Sequence, residues 1–351
     1  MRSDAPLGHA ESIRGLWRAA RAGRLAHALL FRGPRGIGKF LAAEWLARGL
    51  LCASLGERPC GECGPCKRFR SDSHPDVFVL DGVDEGQETI PIGAITPRPE
   101  ESRPNVGEFL ALRALESGYR IVLVREADRM ASAAQNALLK TLEEPGQGVV
   151  IVLESARPDL LLPTVKSRCV QLRLRALALP EVEDVLVAHG LDAARARVLA
   201  RWSGGSPGTA LRIAARAGEE MRDVFERVLS GELDPTRGAL AIDAAAGEFP
   251  GATPSASARM RARVFLEIAT DVLRDLHRAR CGAAAEALPH GDLAPLARTR
   301  TSAAWRAALD HCLMARQDVD LNLAPDAVVE RVLLSCGARA VAGSPVSSPT
   351  S

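Results

Sequence analysis

Between the apolar run Ala28–Phe31 and a helical pattern opening near Phe40 stands Gly33-Pro34-Arg35-Gly36-Ile37-Gly38-Lys39. Strand, glycine loop, lysine and helix, in that order, is the layout of a loop that cradles phosphate. Glycines let the backbone turn tightly and aim N–H groups at phosphate oxygens, and the helix N-terminus adds partial positive charge. Gly33, Gly36 and Gly38 are therefore candidate cradle residues, and Lys39 is the candidate contact to the outer phosphates. One position departs. The motif asks for Ser or Thr after the lysine, to hold magnesium, and this chain has Phe40.

A chain of 351 residues can form two or three domains. Its 47% hydrophobic and 25% charged content supplies ample core material for a globular protein. With a net charge of +2 there is no overall basic field, so any DNA contact has to be local. One Tyr, four Trp and eight Phe are too few to favour a base-stacking platform for single strands. The sequence shows no signal-peptide core and no run of about 18 apolar residues, which leads to the expectation of a cytoplasmic protein that does not cross a membrane. There, cysteines are read as free thiols or metal ligands rather than disulfides.

An amphipathic helix is expected over residues 9–27, then the first strand, the glycine loop and a helix to about Leu51. Val77–Leu80 reads as a strand after His74-Pro75-Asp76, and residues 81–107, with four prolines, as a loop. Arg120–Val124 and Val149–Leu153 read as strands buried on both faces, and Cys169–Leu174 as another. Between them Ser132 is expected to cap a helix that stops before Pro145. Strands alternating with helices indicate an α/β fold with a parallel sheet. From Pro180 the strand signals vanish. Residues 180–215 fit three short helices, the last opening at Ser206-Pro207, and 217–340 have helical spacing, with 235–258 read as a loop or as a partly helical connection. Met260, Val264, Ile268, Val272 and Leu276 form a helical stripe, and the tail Gly343–Ser351 is expected to be disordered.

Cys52, Cys60, Cys63 and Cys66 read C-x7-C-x2-C-x2-C. Two C-x2-C steps put thiolates on tight turns that can converge on one ion, with Gly61 and Gly64 letting backbone N–H groups face sulfur. Four thiolates close a tetrahedron around Zn2+ and leave no open position, so the expected site is structural. Unligated thiols, a redox pair or an iron–sulfur cluster are the alternatives. Cys169, Cys281, Cys312 and Cys336 are isolated and read as small hydrophobes.

Together these pieces resemble the bacterial clamp-loader subunits, AAA+ proteins of the DNA polymerase III holoenzyme. The resemblance rests on the zinc cysteines after the loop helix, His74-Pro75-Asp76, Asn136-Ala137-Leu138-Leu139-Lys140-Thr141-Leu142-Glu143-Glu144-Pro145, and Ser167-Arg168-Cys169. It spans roughly residues 25–215. Beyond that, only helical character and the Leu321-Asn322…Pro325…Glu330 pattern match. It implies an AAA+ five-stranded parallel sheet flanked by helices over 1–175, with the zinc module at 52–66. It further implies a three-helix lid over 176–216, a helical collar over 217–341 and a disordered tail from 342.

The family includes an ATP-hydrolysing gamma/tau type and a delta-prime type, and the departures separate them. In the motor type the third strand ends in Asp-Glu, which orders magnesium and polarises water; here the pair is Arg125-Glu126. A cation in the metal's place repels it: even two unit charges about 4 Å apart interact by about 4 kcal/mol at an effective dielectric near 20. With Phe40 replacing the hydroxyl, both protein ligands of the metal are gone. Gly205-Ser206-Pro207-Gly208 stands where the motor type carries a phosphate-sensing arginine, and it resembles delta-prime.

The resemblance therefore implies no ATP hydrolysis by this chain itself, no Mg2+ and weak or absent ATP binding. Lys39 either retains phosphates or pairs with Glu126 or another carboxylate. Arg168 is implied as an arginine finger acting in trans on a neighbour's ATP; otherwise it is a surface arginine ahead of a strand. The implied partners are gamma/tau, delta, the sliding clamp (beta) and primer-template DNA, within a hetero-oligomer that belongs to the polymerase holoenzyme. A hydrolysing gamma/tau-type motor, or an AAA+-derived zinc-stapled scaffold outside replication, are the competing readings.

Overall fold

The computed structural model describes residues 5–56, 58–81, 89–98, 104–245, 247, 249, 253–321 and 323–337. Two compact units result: Met1–Val182 with Gly205–Gly208, and Glu183–Gly204 with Thr209–Ser351. Among the described residues no helix is long and apolar enough to cross a membrane.

The first unit runs α1 (Ala10–Arg21), β1 (Ala28–Arg32), α2 (Lys39–Leu51), α3 (Gly64–Arg70), β2 (Val77–Asp81), α4 (Val106–Ala111), β3 (Arg120–Arg125), α5 (Ser132–Glu143), β4 (Val149–Ser155), α6 (Pro163–Ser167) and β5 (Val170–Arg173). α7 (Leu179–Ala188) begins in this unit and crosses into the next. The strands form one five-stranded sheet in the order β2-β3-β4-β1-β5. All its pairings are parallel, with Ala28 opposite Ile151 and Val122 also opposite Ile151 on the other side. This is the expected α/β sheet. β4 is buried along its whole length, as its continuous Val149–Leu153 run predicts for a central strand.

Several boundaries differ from the sequence reading. α1 stops at Arg21 rather than 27, and the chain turns through Gly23 in the left-handed region at φ 66°. Ser132 does not cap α5: it is the first helical residue, Ala131 is the N-cap, and no side chain bonds the exposed amides. The expected loop 81–107 contains a helical turn at Ile92–Ala94 and the start of α4, capped by the Asn105 side chain. Within that stretch 82–88 and 99–103 lie outside the described residues, as do Asn322 and the tail 342–351.

His74-Pro75-Asp76 has a structural task. Asp76 is fully buried, and its two carboxylate oxygens accept the N–H groups of Leu115 and Glu116 at 2.8 and 2.9 Å. The Arg120 guanidinium donates to the same carboxylate at 3.3 Å while stacked 3.8 Å from the centre of the Phe109 ring. Burial pushes the His74 imidazole below its ordinary pKa, and its Nδ1 accepts the Asp76 N–H at 3.1 Å. Removing the Asp76 carboxylate leaves two amides unpaired and a buried guanidinium without its counter-charge, held only by the Phe109, Pro75 and Arg113 carbonyls, a loss of about 3–5 kcal/mol. Asp76→Ala is expected to shift the urea midpoint of the first unit down by that equivalent; an unchanged midpoint would show the cluster to be dispensable.

Among its described residues the second unit has helices and no strand: the rest of α7, α8 (Ala193–Trp202), α9 (Pro207–Ala215) from Thr209 on, α10 (Gly218–Ser230), α11 (Pro235–Asp243), α12 (Pro254–Arg280), α13 (Ser302–Asp320) and α14 (Pro325–Cys336). Of the two readings of 235–258 the partly helical one holds: α11 forms because Asp234 caps it, accepting the Thr236 and Arg237 amides at 3.0 and 3.4 Å. Val264, Ile268, Val272 and Leu276 of the α12 stripe are buried in this unit's own core, with Phe225 edge-on to Phe265. Of the isolated cysteines, Cys169, Cys312 and Cys336 are buried as expected. Cys281 is exposed where α12 ends.

Candidate functional site

The C-terminal ends of β1, β3 and β4 are neighbours in the sheet, and the glycine loop leaves from the first of them. Crevices at such strand ends are where open α/β sheets bind ligands. Gly33 N–H donates to Ser155 O of β4 at 3.3 Å, which fixes the start of the loop. Gly36 and Gly38 sit in the left-handed region at φ 74° and 88°, so a side chain at either would be strained. Gly38 is also the N-cap of α2, which places Lys39 at the first helical position, as the motif requires.

Lys39 is buried and already partnered. Its Nζ donates to Pro34 O at 2.8 Å and lies 2.9 Å from Glu154 Oε1, with the two side chains 2% and 9% exposed. The other Glu154 oxygen accepts the Glu126 N–H at 3.0 Å. The alternative that Lys39 pairs with a carboxylate is therefore realised, with Glu154 rather than Glu126. The carboxylate of Glu126 belongs instead to Arg35, at 2.8 Å, and Arg129, at 3.2 Å. Arg125 pairs with Asp81 at 2.7 Å and lies over the Phe40 ring, 5.0 Å from its centre. The two positions that would ligate magnesium thus form a cation–aromatic contact with each other.

Segment Gly205–Gly208, which belongs to the first unit, lies against the loop. Ser206 Oγ donates to Arg35 O at 2.8 Å and Gly208 N–H to Gly36 O at 2.9 Å. A Cβ at position 208 would stand 2.9 Å from Gly36 O, so only glycine permits this approach.

The four cysteines come together as their spacing predicts. Cys52 ends α2, Cys63 caps α3 and Cys66 lies within it; all four sulfurs are within 4.8 Å of one another. A tetrahedral zinc with bonds of about 2.3 Å has sulfur–sulfur edges of about 3.8 Å. The Cys52–Cys63 separation of 3.9 Å matches that edge. Backbone N–H groups face sulfur as expected: those of Cys60 and Cys63, next to Gly61 and Gly64, donate to Cys52 and Cys60, both at 3.4 Å. The Cys63 amide holds the Cys60 thiol down at about 6, while burial pushes Cys66 up to about 12. This donor set fits a structural zinc.

Arg168 caps the end of α6, just before the edge strand β5. Its guanidinium donates to Thr164 O at 3.0 Å and pairs with Glu143 at the end of α5. The two motifs quoted separately from the sequence therefore meet. Gln135 binds them further, donating to Leu160 O at 3.3 Å and accepting the Leu162 N–H at 2.7 Å.

Sequence reasoning missed Glu154. The signal was present: a carboxylate closing the otherwise apolar Val149–Leu153 run, in a strand buried on both faces, needs a cation.

Residues 8–178 match the family model described as DNA polymerase III, delta subunit. A DNA polymerase III subunit delta' of Pseudomonas aeruginosa is 41% identical over 205 residues, 56% of this chain and 58% of the relative. That of Bacillus subtilis is 35% identical over 190 residues, 54% of each. A gamma/tau subunit of Mycobacterium tuberculosis is 34% identical over 205 residues, 56% of this chain and 33% of the relative. The chain spans little more than half the length of the delta' relatives it matches. Over residues 8–178, then, the chain resembles the DNA polymerase III, delta subunit family, and over about half of its length it is similar to delta' subunits.

Proposed function

We propose that this chain is a non-hydrolysing delta-prime subunit, which supports ATP-dependent loading of the sliding clamp onto primed DNA. The observation that carries this reading is the state of the phosphate loop: Lys39 is held by Glu154, and Arg125 and Phe40 take the places of the metal ligands. Glu126, the remaining acidic residue of the motor pattern, is held by two arginines and cannot activate water.

Catalysis is supplied in trans. Arg168 serves as a finger for the ATP of a neighbouring gamma/tau subunit, neutralising charge on the transferred phosphoryl. Its position beside an edge strand, one-third exposed, supports this role. Residues 176–216 act as the lid, and 217–341 join the matching domains of gamma/tau and delta in a collar. The α12 stripe is consumed by this unit's own core, so the collar surface is sought on α13 and α14, where Leu313, Met314 and Leu334 are exposed. DNA is met through phosphates, which position without reading sequence. The protein works in the cytoplasm, and its zinc is structural.

ATPase assays of the chain alone, and of the reconstituted assembly with and without it, test the reading. Alone, the chain is expected to show no magnesium-dependent turnover and, in equilibrium dialysis with labelled ATP, weak or absent retention. Added to the assembly, it is expected to raise clamp- and DNA-stimulated turnover. Hydrolysis by the chain alone would instead identify a motor subunit.

A further inference from the structure

We infer that Glu154 is an autoinhibitory carboxylate: it occupies the ammonium of Lys39 and so keeps phosphate compounds off a glycine loop that is otherwise built to bind them. The inference rests on the reading above that this loop does not retain nucleotide, and gives that reading a cause within the chain. The loop keeps its glycines in left-handed conformation, its helix N-terminus and its lysine. Loss of the metal ligands removes magnesium, yet a lysine on a helix N-terminus still attracts an anion without metal. What distinguishes this loop is that the anion is internal.

Both oxygens of Glu154 are used, one on Lys39 Nζ at 2.9 Å and one on the Glu126 N–H at 3.0 Å. The pair is almost closed to water, at 2% and 9% exposure. An incoming phosphate would have to draw Lys39 away and leave the Glu154 charge buried, or approach with that charge in place. Either course opposes binding. The backbone side of the loop is held as well, since the Arg35 and Gly36 carbonyls are tied to Ser206 and Gly208.

The test is calorimetric titration of the full chain with inorganic pyrophosphate in the absence of magnesium. Wild type is expected to give no binding. Glu154→Gln removes the charge while keeping the shape, and is expected to bind pyrophosphate at least about tenfold more tightly than wild type. Adding Lys39→Met to that variant is expected to abolish the gain. Glu154→Asp keeps the charge in the core but shortens its reach; if Glu154→Gln does not fold, a smaller gain in Glu154→Asp, read as a pyrophosphate-dependent rise in melting temperature, carries the test. Silence of every folded variant overturns the inference alone and leaves the non-binding reading standing. Pyrophosphate binding by wild type as tight as by the variant overturns both. A gain that survives Lys39→Met shows binding elsewhere and also overturns the inference.

Discussion

Replacing Arg168 with alanine is expected to leave the fold intact and, if the proposed finger role holds, to lower turnover sharply at the neighbouring ATP site. Arginine fingers in comparable phosphoryl transfers are worth about 10³–10⁵ in rate. Loss of the guanidinium at one site of an assembly should therefore silence that site, with the remaining activity due to sites completed by other subunits. The fold is expected to tolerate the change because Arg168 is one-third exposed and its partner Glu143 is half exposed. Such surface pairs contribute about 0–1 kcal/mol. Clamp- and DNA-stimulated ATPase of the reconstituted assembly, with circular dichroism of the variant as the folding control, makes the comparison. Undiminished turnover in a folded variant would return Arg168 to the role of a surface arginine.

The second large effect concerns the cysteine module. Under reducing conditions the chain is expected to carry one zinc, measurable by elemental analysis. Structural zinc in peptides of this kind contributes about 10–16 kcal/mol near neutral pH. Among the described residues of 52–70, the buried apolar side chains are few: Cys52, Pro59, Cys66 and Phe69. Chelation, or Cys63→Ser, is expected to open this insert to proteases while the sheet of the first unit persists. A protein free of stoichiometric metal, with the insert still resistant, would refute the assignment.

Much of this was readable from the residues, for identifiable reasons. β3 and β4 are buried on both faces, so each is a continuous apolar run that only a sheet interior accommodates. The glycine loop and the cysteines are local patterns, and local patterns survive translation into structure. Pairings across long stretches of chain do not announce themselves. Nothing near Lys39 in sequence names Glu154, and nothing near Arg168 names Glu143. The bounds of α11 were hidden by Pro235, which reads as a breaker unless Asp234 before it is recognised as the cap. The α12 stripe was visible, but periodicity gives a face and not what the face packs on; here it is the unit's own core.

Ser206 and Gly208 carry a final implication for how the polypeptide is divided. The chain leaves the first unit after Val182, returns for Gly205–Gly208 and leaves again. A single scission consequently cannot release both halves whole. A fragment ending at Val182 would keep every strand, yet would forfeit the hydroxyl and amide that satisfy the Arg35 and Gly36 carbonyls. In this protein the boundary drawn by folding and the boundary available to a protease, or to a gene split in two, are different things.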